Sequence, residues 1–221
     1  MRRSCGFGLV ILAFLAALEA GAQEIPVVTA EPEAAGEVAA TLPADPAPVI
    51  GRNSFSLMVG LYTTSFWARS FSVNEVGYEP NFVIALISGR DLITTPIGFR
   101  VGHESGIALR FGQDFSVEMW RAVTFSFGAR LLGRVMVTPQ FALGLSSVSN
   151  LIGVERPREA AEEDGDMSRL IYNGSQLAWL LEAIPFIEVF YRLHHRSGAL
   201  GFWGNVPDGH NANAVGFQIR Y

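Results

Sequence analysis

From Arg52 to the C-terminus, apolar residues fall on alternate positions. Between Val117 and Leu131 the odd positions carry Val117, Met119, Arg121, Val123, Phe125, Phe127, Ala129 and Leu131, while the even ones include Glu118, Thr124, Ser126, Gly128 and Arg130. The segment Val135 to Leu145 repeats this, with Val135, Val137, Pro139, Phe141, Leu143 and Leu145 set against Thr138, Gln140, Ala142 and Gly144. A period of two belongs to β-strands with one apolar face. Eight strands are predicted, near residues 53–68, 79–89, 96–111, 116–131, 134–149, 168–182, 186–197 and 211–221.

Alternation alone fits a soluble β-sandwich as well as a membrane barrel, and three features favour the barrel. The strands are long, on the order of ten residues or more, as a tilted membrane-crossing strand requires. Short connections (Gly89 to Thr95, Leu132 to Arg134, Glu182 to Pro185) alternate with long polar ones (Ser70 to Tyr78, Gly153 to Asp166, Gly198 to His210). The chain ends in Val215-Gly216-Phe217-Gln218-Ile219-Arg220-Tyr221, an alternating strand closed by an aromatic residue. That ending resembles the C-terminal signature of bacterial outer-membrane barrels, which implies the barrel-assembly machinery as a partner. The expected fold is all-β, an eight-stranded antiparallel outer-membrane β-barrel over residues 52–221, its interior filled by side chains.

The N-terminus predicts export. Arg2 and Arg3, the apolar run Phe7 to Leu18 and the small residues Ala20-Gly21-Ala22 have the form of a secretory signal peptide over residues 1–22. The only cysteine, Cys5, lies within it, so the mature chain is expected to have no thiol chemistry. Residues 23–51 hold five prolines and five acidic residues but no basic one, the composition of a disordered periplasmic linker. All 16 basic residues are arginine and the net charge is -5, which gives no sign of nucleic-acid binding. Neither a cofactor nor a metal is expected, since the sequence has no phosphate loop, no Gly-x-Ser-x-Gly elbow and no Cys/His metal spacing.

The candidate chemistry lies in Tyr191-Arg192-Leu193-His194-His195-Arg196-Ser197-Gly198. Strand parity puts His195 and Ser197 on the apolar, lipid-facing side with Ile187, Val189, Tyr191 and Leu193, and sends Glu188, Phe190, Arg192, His194 and Arg196 inward. The outward face of the last strand continues up to Asn213 and Asn211. With both chain ends periplasmic, this polar patch lies near the outer leaflet, where lipopolysaccharide is the lipid. Outward polar side chains cost free energy unless they sit at the interface or perform a function. The plain alternative is a strand that ends at His195 in headgroup water. A second pair, His103-Glu104-Ser105, also falls on odd positions, with no polar neighbour evident from sequence.

The stretch Val189 to Tyr221, with His195-Arg196-Ser197, the Val206-Pro207-Asp208-Gly209 turn, Asn211 and the aromatic end, resembles the C-terminal hairpin of PagL-type lipid A 3-O-deacylases and acyloxyacyl-hydrolase-like proteins. The resemblance implies an outer-membrane esterase acting on lipid A. It makes Ser197 the nucleophile, His195 the general base and the Gly198 backbone part of an oxyanion hole. Separately from the resemblance, a guanidinium fork suits phosphate, which makes Arg196 a candidate substrate contact, although parity puts it on the inner face at the strand end. Two positions depart from the family: Gly198 stands where Asn is typical, and Asn211 stands where the family's acid is expected, with Asp208 the nearest carboxylate. The implied partner is lipid A, and a homodimer is compatible with such a barrel. The competing reading is a non-catalytic small barrel with a structural or adhesion role.

Overall fold

The computed structural model describes residues 51–71, 76–131, 135–181 and 183–221. The expected signal peptide, the linker up to residue 50 and the turn at 132–134 lie outside the described residues.

The strands are β1 (Asn53–Thr63), β2 (Tyr78–Thr94), β3 (Phe99–Phe111), β4 (Phe115–Phe127), β5 (Ala129–Leu131), β6 (Val135–Val148), β7 (Arg169–Leu181), β8 (Ile187–Ser197) and β9 (His210–Arg220), with two short helices, α1 (Trp67–Ser70) and α2 (Glu155–Ala160). Every pairing is antiparallel, in the order β4-β3-β2-β1-β9-β8-β7-β6-β5, and β4 also pairs with β6. β5 continues β4 along the same side of β6 after Gly128, so the wall has eight staves and closes on itself. Closure leaves no strand edge unpaired, which is what hydrocarbon demands of a spanning sheet.

The two chain-end strands meet at one rim, where Asn53 and Tyr221 exchange backbone hydrogen bonds of 3.0 Å. The connections at the opposite, far rim run over residues 64–77, 112–114, 149–168 and 198–209. Three of these are long, as expected, and 112–114 is short. β2 extends beyond the expected end at Gly89. The Gly89-Arg90-Asp91 run, polar enough to suggest a turn, is instead laddered on both sides, with Gly89 against Ser54 and Glu104 and Arg90 against Asn53 and His103. β1 stops at Thr63, short of the expected 68, because its register shifts after Leu61 and the chain leaves the wall for α1.

One side-chain set of each strand fills the lumen with paired charge. At the chain-end rim Arg220 bonds Glu188 at 3.1 Å and Asp91 at 3.2 Å. In the middle Glu104 accepts from Trp120 (3.0 Å), Tyr172 (3.2 Å), Gln140 (3.3 Å) and Arg192 (2.6 Å). Towards the far rim Glu118 meets His194 at 3.0 Å, and Glu155 of α2 reaches down to Arg110 at 2.6 Å and also bonds Arg196. Such groups remain charged away from water only where each has a partner. The interior is therefore a packed polar core capped by α2.

The other set faces outward and is apolar, bounded by exposed phenylalanines: Phe82, Phe111 and Phe115 towards the far rim, Phe99 and Phe127 towards the chain ends. Rings at both edges of an apolar band mark the two membrane interfaces. No helix among the described residues is long and apolar enough to cross a membrane; the strands do the crossing. One part of the band breaks the pattern. Arg121, exposed and outward, stands midway between Phe115 and Phe127, a depth at which an arginine facing lipid costs ~2–4 kcal/mol.

Candidate active site on the outer wall

β8 and β9 pair so that His195 stands opposite Asn211, with Asn173 of β7 on the other side of His195. All three are on the outward face, as parity requires. His195 and Asn211 do not, however, open directly to lipid: His195 is 6% exposed and Asn211 is fully buried. The cover comes from residues 64–71, the start of the β1–β2 connection, which form a strap over the outside of the wall. Trp67 of α1 lies with its ring centre 6.1 Å from that of His195, and the Ser65 carbonyl accepts from Asn211 Nδ2 at 2.6 Å.

That last bond sets the chemistry of the pair. A carbonyl can only accept, so the Asn211 amide must turn its NH2 to Ser65 and its Oδ1 to His195. His195 Nδ1 lies 2.5 Å from Asn211 Oδ1 and therefore carries the proton it donates. The neutral ring is left with a lone pair on Nε2, the tautomer a general base needs.

Ser197, two residues along the same face, is half-buried. Its Oγ accepts from the Ala199 N–H at 3.0 Å, and no hydrogen bond joins it to His195. Beyond Ser197 the chain turns through Ala199 (φ 52), Leu200 (φ 62) and Gly201 (φ 90). Two successive non-glycine residues in the left-handed region store strain of order 1–2 kcal/mol each, and such strain gathers at functional turns. Gly198 is there of necessity, since a Cβ would lie 1.9 Å from the Val206 carbonyl oxygen and 2.7 Å from that of Trp203. An asparagine, the residue typical at this position of the family that the sequence resembles, has no room while the 203–206 segment packs this close.

Two expected site residues lie elsewhere. Arg196, expected to contact substrate phosphate, is fully buried in the lumen, where it bonds Ser146 Oγ (2.7 Å), the Met167 carbonyl (2.7 Å) and Glu155. Even-numbered parity on β8 sends it inward, and α2 then closes over it. Asp208, the alternative acid, pairs with Arg158 at 3.1 Å rather than with His195. Burial pushes the Asp208 carboxyl above its ordinary range, against the opposing pull of the Gly209 N–H and Arg158.

Arg158, an α2 residue that sequence reasoning did not single out, ties the site together. Its guanidinium donates to the Thr64 carbonyl at 3.1 Å and to the Gly209 carbonyl, pairs with Asp208, and lies 5.4 Å over the Phe66 ring. One side chain thus joins three far-rim connections on either side of the His195–Asn211 pair. Outside this clamp, Phe66 and Phe71 are exposed beside Trp67, so the strap presents an aromatic edge to the membrane. Along the wall the polar strip continues from Asn211 to Asn213, which accepts from Tyr191 at 2.8 Å and donates to Tyr78 at 3.1 Å.

The sequence matches no family model and no curated protein. Among solved structures it is similar to that of the outer membrane enzyme PagL, with a TM-score of 0.53 at 14% identity, over 75% of this chain and 98% of that one. Neisserial surface protein A (TM-score 0.47, 11% identity, 76% and 97% covered) and the N-terminal β-barrel domain of Pseudomonas aeruginosa OprF (TM-score 0.42, 8% identity, 77% and 99% covered) are more distant. At such identities the likeness is one of fold, and the fold is that of an eight-stranded outer-membrane β-barrel.

Proposed function

We propose that this barrel is an outer-membrane esterase that removes an ester-linked acyl chain from lipid A. The observation that carries the reading is the Asn211–His195 pair: a histidine on the outward wall at the far rim, its tautomer fixed by a buried amide that Ser65 orients. A barrel that only needed to be anchored would gain nothing from burying an imidazole there with Nε2 free.

In the proposed reaction the Ser197 hydroxyl swings from Ala199 towards His195 Nε2, which takes its proton as Oγ bonds to the acyl carbonyl carbon. Backbone N–H groups at the turn after Ser197, that of Ala199 among them, stabilise the oxygen that gains charge. Collapse breaks the ester C–O bond, and the sugar alkoxide leaves with the proton from His195. Water, deprotonated by the same nitrogen, then releases the fatty acid and restores the serine. Asn211 holds the ring but adds no charge beside the imidazolium, which points to a slower hydrolase than one built on a carboxylate. The aromatic edge of the strap, Phe66, Trp67 and Phe71, is placed to lie along an acyl chain.

The bond from Ala199 to Ser197 Oγ favours the competing reading, a non-catalytic barrel, because it holds the hydroxyl away from the histidine. Expression in an outer membrane decides between them. The esterase removes one ester-linked acyl chain from lipid A, seen by mass spectrometry, and Ser197→Ala abolishes this while folding normally. Unchanged lipid A beside well-folded wild-type protein overturns the proposal.

A further inference from the structure

The second His-x-Ser pair does have polar neighbours, and they lie on the other side of the barrel from His195. On the outward faces of β2, β3 and β4, Ser88 stands opposite Ser105 and Ser105 opposite Arg121, while Arg90 stands opposite His103 in the adjacent row. Ser88, Arg90, Ser105 and Arg121 are exposed, and the Nδ1 atom of the half-buried His103 has no hydrogen-bond partner. Among the described residues neither Arg90 nor Arg121 pairs with a carboxylate, and no outward position of these three strands carries one. The patch is cationic, rich in donors, and set in the middle of the apolar band.

From this geometry we infer that the β2–β4 face binds the phosphate of an anionic glycerophospholipid drawn in from the leaflet beside the chain ends. The chemistry is that of a phosphate site: two exposed guanidinium forks and two exposed hydroxyls on neighbouring strands, with the His103 ring beside them. Arg121 stands roughly 20 Å along its strand from either phenylalanine edge, some 15 Å of depth once strand tilt is included. One side chain does not span that depth. Arg90 supplies the intermediate step, because it sits opposite Asn53 at the start of β1 and so lies nearer the chain-end interface. A headgroup held by Arg90 and Arg121 together thins the bilayer locally, the usual response of lipid to a charge it cannot avoid. A second copy of the chain is the poorer occupant, because it would set two cationic patches face to face.

The inference is independent of the esterase reading. Its test uses the folded full chain in bilayers of mixed phosphatidylglycerol and phosphatidylcholine, followed by gradual delipidation and native mass spectrometry. The wild type retains phosphatidylglycerol in preference to phosphatidylcholine, and Arg90→Leu/Arg121→Leu lowers that retention by about tenfold or more, the equivalent of losing one charge-assisted contact. Leucine suits a lipid-facing position, so the double variant folds, which heat-shifted gel migration checks; Arg121→Lys retains part of the binding. Equal retention by wild type and double variant overturns the inference. So does efficient disulfide formation between copies of Ser105→Cys in the bilayer, which would make the occupant a second barrel.

Discussion

Replacing Asn211 by alanine separates an oriented histidine from one that merely sits in the wall. The amide makes two bonds, accepting from His195 Nδ1 at 2.5 Å and donating to the Ser65 carbonyl at 2.6 Å, and it is buried. Alanine leaves both partners without a bond in a place water reaches poorly, and each orphaned group costs ~1–3 kcal/mol. The Ser65 loss falls on stability and on how firmly the strap is held, because the carbonyl is not at the reacting atoms. The His195 loss falls on the rate: the ring is free to take the other tautomer or to rotate, and ~1–3 kcal/mol at the transition state is a factor of roughly 5 to 150. The assay is the time course of lipid A deacylation by equal amounts of folded wild type and Asn211→Ala in the same lipid. The lost orientation is read in kcat, while any change in KM reports separately on the strap that Ser65 no longer ties to the wall. Equal kcat for an active wild type and Asn211→Ala would refute the argument that Asn211 orients the base.

Two further perturbations test how the far rim holds the site. Arg158→Ala removes the clamp that joins Thr64, Asp208 and Gly209, so the strap loosens; hydrogen exchange over residues 64–71 rises, and kcat falls roughly tenfold through the freed Asn211, about the worth of one charge-assisted bond. Unchanged exchange would show that the strap is held by its apolar contacts instead. Glu155, in the 149–168 connection, senses acid. Burial pushes its carboxyl up, but Arg110 and Arg196 outweigh this and hold it well below the usual 4.5. For a depressed carboxylate the stabilisation is complete above the unfolded value and is lost as pH falls through that value towards the folded one. Limited proteolysis of the 149–168 connection therefore stays constant from pH 7 to about 5 and accelerates below about 4. Glu155→Gln shows the fast cleavage already at pH 7; acid-independent cleavage in the wild type would remove Glu155 as the tether.

The barrel was legible in the sequence because its cause is local: alternation fixes which side chains meet lipid, and one residue of slip would expose Glu104, Glu118 and Glu188 to it. Ends of strands were less legible. The Gly89-Arg90-Asp91 run reads as a turn by composition, and only the ladders with β1 and β3, set by closure, keep it extended. The same limit applies at the site. Parity placed His195, Ser197 and Asn211 on one outward face and Arg196 on the other, yet it could not show that α2 descends onto Arg196 or that Trp67 and Ser65 cover the pair, since those contacts join segments far apart in the chain.

The cover over His195 has a mechanical consequence. An outward histidine in bare hydrocarbon would be costly, and one open to headgroup water would have a mobile ring. The strap avoids both by bringing a carbonyl to Asn211 and an indole to His195. On the proposed reading, a substrate as large as lipid A meets His195 along the strap's aromatic edge or by displacing it. The element that orients the base is then the element substrate must approach, and binding and orientation are coupled through Ser65. Arg158, anchored in α2 rather than in the barrel wall, sets how firmly that element is held. The rigid wall supplies the positions of His195 and Asn211, and the far-rim connections decide when those positions become a site.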